Sequence, residues 1–63
     1  MQVLQQDSRG ATVSLTQEDL RIINNALNET CEFIAEWEFA TRVGAQRDEA
    51  LALLEQVNKL LRR

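Results

Sequence analysis

The sequence predicts a mainly α domain: three helices behind an N-terminal β-hairpin, with the second and third helices arranged like a helix-turn-helix. Three observations predict it. Apolar residues alternate with polar ones from Ala11 to Leu15, then recur at steps of three and four from Leu20 onward. These are the periods of a half-buried strand and of an amphipathic helix. Only two glycines and no proline interrupt the 63 residues. One of the two, Gly44, has helix-like apolar spacing on both sides, so the turn between helices falls there. The chain reads as a single domain, 1–63, in which 1–15 form the hairpin or an arm and 16–63 the helices.

The hairpin is expected over roughly residues 2–7 and 11–15. Val3 and Leu4 lie in its first strand, and Ala11, Val13 and Leu15 alternate with Thr12 and Ser14 in its second. Between them Asp7-Ser8-Arg9-Gly10 suits a type I turn, with Asp at the first position and Gly at the fourth. A two-stranded hairpin is marginal in water, so it must pack on the helices or pair with another copy.

Thr16 starts the first helix. Its hydroxyl can accept from the amide of Asp19, and Glu18 and Asp19 place negative charge at the positive helix end. Leu20, Ile23, Leu27, Cys31 and Ile34 form the apolar stripe, and Ile22 and Ala26 widen it. No glycine or proline lies between Leu15 and Val43, so one continuous helix, with Glu29, Glu32 and Glu36 on one face, is the alternative to a break near residues 34–36, which is expected because Phe33, Ile34, Trp37 and Phe39 no longer share one stripe. A short helix over about 36–43 ends at Gly44. The last helix spans about 46–61, with Asp48 and Glu49 in its first turn and Lys59, Arg62 and Arg63 at its end. Ala50, Leu53, Leu54, Val57, Leu60 and Leu61 give it a wide apolar face, and Leu51 lies off that face.

Composition narrows the function classes. The apolar fraction of 44% and the charged fraction of 27% are ordinary for a globular chain. A chain this short buries only about 60% of its unfolded surface, and small domains usually add disulfides, a metal or a partner subunit. Cys31 is the only cysteine and histidine is absent, so self-association or a bound partner is left as the source of stability. A net charge of −3 disfavours phosphate backbones and anionic membranes. No run reaches the length of a membrane span, and the N-terminus lacks a signal-peptide pattern. A cytoplasmic location is expected, in keeping with a lone reduced thiol.

Four constellations could carry chemistry. For DNA binding, Ala40 and Gly44 have the helix-turn-helix spacing, with Phe39, Val43, Ala45, Ala50 and Leu53 at the apolar positions. Arg42, Gln46 and Arg47 would then be the DNA contacts, but Asp48, Glu49 and Glu55 spoil that surface. For nucleophilic catalysis, Cys31 lacks a histidine base and sits on an apolar stripe, so it reads as core. Glu29, Glu32, Glu36 and Glu38 read as a solvated acidic face rather than a cation site, with no preorganising loop. The aromatic trio Phe33, Trp37 and Phe39 reads as the centre of the core, with a sharper alternative that makes Trp37 a partner hot spot.

The segments Asn25-Ala26-Leu27-Asn28-Glu29 and Glu38-Phe39-Ala40-Thr41-Arg42-Val43-Gly44 are followed by Arg47-Asp48-Glu49-Ala50 and a leucine-rich end. Together they resemble short uncharacterised bacterial proteins that carry N-A-L-N-E, then E-F-x-T-R-x-G, then a final helix. The resemblance covers about residues 16–61 and implies a small stand-alone bacterial protein with no stated activity.

The expectation is therefore a non-catalytic cytoplasmic interaction or regulatory module. It needs no cofactor, metal or catalytic residue and works as a homodimer or with a protein partner. The expected interface combines Trp37, Leu51, Leu54 and Asn58. A helix-turn-helix regulator of DNA is the alternative.

Overall fold

The computed structural model describes residues 1–61. It contains β1 (Gln2–Asp7), β2 (Gly10–Ser14), α1 (Gln17–Phe33), α2 (Glu36–Val43) and α3 (Arg47–Leu61). The mainly α architecture with an N-terminal hairpin is the one the sequence predicts. The expected role of Arg62 and Arg63 at the end of α3 lies outside the described residues.

β1 and β2 form a two-stranded antiparallel sheet. Asp7 Oδ1 accepts hydrogen bonds from the amides of Arg9 (2.8 Å) and Gly10 (3.2 Å). This side-chain clasp mimics a backbone turn. Ser8 and Arg9 keep negative φ angles, as a type I turn requires. Val3 faces Val13, but Gln5 faces Thr12, so Leu4 is an extra residue in β1. Such a bulge bends its strand and interrupts regular alternation. Val3 and Leu4 are both left largely exposed. The strands pair with each other and approach no helix backbone. Their tie to the helices is an ion pair, with the Met1 ammonium 2.8 Å from Asp19 Oδ2.

α1 begins with a reciprocal cap. Thr16 Oγ1 accepts from the Asp19 amide (3.0 Å), and Asp19 Oδ2 accepts from the Thr16 amide (3.1 Å). Two of the four orphan amides of the helix start are satisfied in this way. α1 stops where expected. Thr30 Oγ1 donates to the Ala26 carbonyl at 2.9 Å, a back-bond that weakens the helical ladder. Ile34 and Ala35 are then extended. α2 ends at Gly44, whose φ of 81° lies in the left-handed region and whose amide donates to the Ala40 carbonyl at 2.9 Å. α3 opens with the Gln46 amide donating to Glu49 Oε1 at 2.9 Å.

α1 and α3 run antiparallel. Arg47, at the start of α3, meets Cys31 near the end of α1, while Asn58, near the end of α3, meets Asn24 in the first half of α1. The core is small. Cys31, Phe39 and Ala50 form one buried cluster with Ile34 packed on it, and Leu20 and Val57 are buried farther along the chain. Phe39, 1% exposed, fastens α2 to the helix pair.

The aromatic trio is not a core trio. Phe33 is 72% and Trp37 84% exposed. α1 ends at Phe33, so these two residues sit on different helices and do not stack on one face. Only Phe39 fills the expected role.

The chain is flat, with extents of 36 × 30 × 14 Å. Its radius of gyration is 13.0 Å, against about 10.6 Å for a compact chain of this length. It exposes 5172 Å², where a compact monomer of this mass exposes about 4,100 Å².

Candidate interaction surface

The wide apolar face of α3 is only partly used. Ala50 and Val57 are buried, and Leu54 and Leu61 are half-buried. Leu53 and Leu60 are 51% and 47% exposed. They stand three residues after Ala50 and Val57, so both turn to the same flank of the helix. On α1, Ile23 stands three residues after buried Leu20 and is half-buried, as is Leu27. In an antiparallel pair, side chains turned the same way from the contact line emerge on the same side. Ile23, Leu27, Leu53 and Leu60 therefore make one uncharged face. Asn24 and Asn58 turn the opposite way, and the Asn58 amide donates to Asn24 Oδ1 at 3.3 Å on the other side.

The four residues singled out for a partner interface divide. Trp37 points into solvent and Leu51 is partly exposed, both free of the core. Leu54 and Asn58 lie half-buried in the α1–α3 seam, where Asn58 bonds Asn24. The sequence reading passed over Phe33, Leu53 and Leu60 as surface residues. The available signal was the width of the α3 stripe, six apolar positions where a single neighbouring helix covers fewer.

The three residues named for DNA contact are partly engaged within the chain. Arg47 Nε donates to the Cys31 carbonyl at 2.8 Å and lies 3.9 Å from Glu36. Arg42 pairs with Glu38 at 3.6 Å. Gln46 is exposed, and its amide is the one held by Glu49. Leu53, an apolar position of the helix-turn-helix pattern, is half exposed rather than packed.

The remaining chemistry-bearing groups are accounted for locally. Cys31 is buried in the core. Because α1 ends at Phe33, Glu36 does not share a helical face with Glu29 and Glu32. Among the described residues no group of three histidine, cysteine, aspartate or glutamate side chains is placed to hold a metal ion. A shallow concavity under the hairpin turn is lined by Gln5, Gln6, Asp7, Arg9 and Thr12, and its one carboxylate holds the turn amides. Asp19 has its carboxyl held below the usual aspartate range, first by the hydrogen bond from the terminal ammonium and then by that from the Thr16 amide. Among the described residues no helix is long and apolar enough to cross a membrane.

Comparison with protein-family models, with curated proteins and with solved structures finds no match to this chain.

Proposed function

We propose that this protein is a non-catalytic interaction module of the cytoplasm that works as a homodimer and meets a protein partner through its outer surface around Trp37. One observation carries the reading. The chain is flat, 14 Å in its shortest extent, and leaves about 1,000 Å² more surface exposed than a compact monomer of its mass. Small domains short of core commonly add a partner subunit. The excess surface is the area that such a partner would cover.

Trp37 and Phe33 support the partner surface. Large aromatic side chains left in solvent are the usual anchors of protein contacts. The nearby glutamates, Glu32, Glu36 and Glu38, form a polar border of the kind that surrounds such anchors.

Sedimentation equilibrium tests the homodimer. At tens of micromolar the expected mass is twice the chain mass of 7.2 kDa, and the thermal midpoint rises with protein concentration. A mass of one chain with a concentration-independent midpoint overturns the reading. Titration of duplex DNA at two salt concentrations separates it from the regulator alternative, and the expected outcome is no salt-dependent binding.

A further inference from the structure

We propose that the face formed by Ile23 and Leu27 of α1 with Leu53 and Leu60 of α3 is the seat of a second copy of this chain. The proposal rests on the homodimer reading and assigns its surface. Three observations select this face.

The first is area. The exposed excess of about 1,000 Å² belongs to the whole chain and is of the size, roughly 800 Å², that each partner buries in a standard interface. Leu53 and Leu60 are about half exposed, and Ile23 and Leu27 beside them are half-buried, so a second copy laid here completes burial already begun.

The second is charge. None of the four residues is ionisable. The acids at the border are held by their own chain. Asp19 is bound to Thr16 and the terminal ammonium, and Glu49 to the Gln46 amide. A two-fold contact brings each patch against its own copy, so a charged patch repels itself. That argument removes the Phe33–Trp37 surface as the contact between copies. Glu29, Glu32, Glu36 and Glu38 lie within ten positions of sequence there, and the two arginines beside them, Arg47 at 3.9 Å from Glu36 and Arg42 at 3.6 Å from Glu38, leave the cluster with an excess of negative charge.

The third is shape. Leu53 and Leu60 are seven residues apart on a helix without glycine or proline, so they form a straight ridge. Two such ridges pack across a two-fold axis as helices do in a bundle. The hairpin presents no equivalent, because the bulge at Leu4 interrupts the alternation of β1.

The test compares the full chain with two variants by sedimentation equilibrium, with far-ultraviolet circular dichroism on each. Leu53→Glu combined with Leu60→Glu is expected to keep its helix signal and to raise the dimer dissociation constant by more than about a hundredfold, since each copy then buries unpaired charge. Val3→Thr combined with Leu4→Thr is expected to dimerise like the parent. A second measurement covers a glutamate variant that does not fold. Leu53→Cys is placed in a Cys31→Ala background, and its maleimide labelling rate is followed against protein concentration. Labelling that slows as the dimer forms supports the face, and a rate independent of concentration overturns it. A dimer that persists in the glutamate variant, or is lost in the hairpin variant, overturns the face and leaves the homodimer standing. A monomeric parent chain removes both.

Discussion

Arg47 Nε donates a 2.8 Å hydrogen bond to the carbonyl oxygen of Cys31. The bond joins the first residue of α3 to the last turn of α1. That turn contains no basic residue of its own, so its orphan carbonyls lack a local cation. Arg47 supplies one from sixteen residues away. Replacing Arg47 with Met keeps much of the aliphatic stem and removes the donor. The expected loss is about 1–2 kcal/mol, read as a lower urea midpoint at unchanged slope.

Phe39 and Trp37 are two residues apart on α2 and have opposite fates. Phe39→Ala removes the one fully buried large side chain among the described residues, with an expected cost of about 3–5 kcal/mol. That is comparable to the whole stability of a chain of this size, about 3–9 kcal/mol. The variant is expected to lose cooperative thermal unfolding. Trp37→Ala is expected to move the midpoint by less than the equivalent of about 0.5 kcal/mol. As the only tryptophan, Trp37 also reports its surroundings by fluorescence. The expected emission is that of a solvated indole, in the dimer as in the dilute chain, and a blue shift on dimerisation contradicts the assigned face.

Asp19 gives the protein an acid sensitivity of known sign. Its folded-state pKa is lowered, so the carboxylate stabilises the fold above the ordinary aspartate value of about 3.9. That contribution is lost as the pH falls through the lower, folded value. Asp19→Asn is expected to flatten the midpoint-against-pH curve in that acid window and to leave its shape near neutrality unchanged. Thr16→Ala, which removes the other half of the cap, is expected to cost about 1 kcal/mol at every pH where Asp19 is charged.

Gly44 sits at φ 81° with open space where a side chain would begin. Gly44→Ala therefore meets no steric neighbour and carries only the backbone penalty of the left-handed region, about 1–2 kcal/mol. The measurement is the thermal midpoint, and circular dichroism is expected to show α2 and α3 retained.

Local chemistry was readable from the residues. The cap at Thr16, the turn at Asp7, the stop at Gly44 and the burial of Cys31 each depend on groups a few positions apart or on one helical stripe. The break at 34–35 was readable because the apolar stripe changes phase there. The outward turn of Phe33 and Trp37 was not. Periodicity reports which residues share a side, and it does not report whether anything covers that side. The same gap hid Leu53 and Leu60, which count as core by spacing and as surface by exposure. Leu4 illustrates a third kind of loss, since a bulge shifts a strand by one residue and no residue type compels it.

Among the described residues the hairpin is joined to the helices by the Met1–Asp19 ion pair and the covalent link at Leu15–Thr16, and its strands approach no helix backbone, so its opening is expected not to require theirs. Two exchange regimes should coexist in deuterium oxide. Strand amides swap isotope through a low-energy local excursion, whereas amides in the middle of α1 and α3 wait for the dissociation and global melting of the assembly. The slow set alone then depends on how much protein is in the tube.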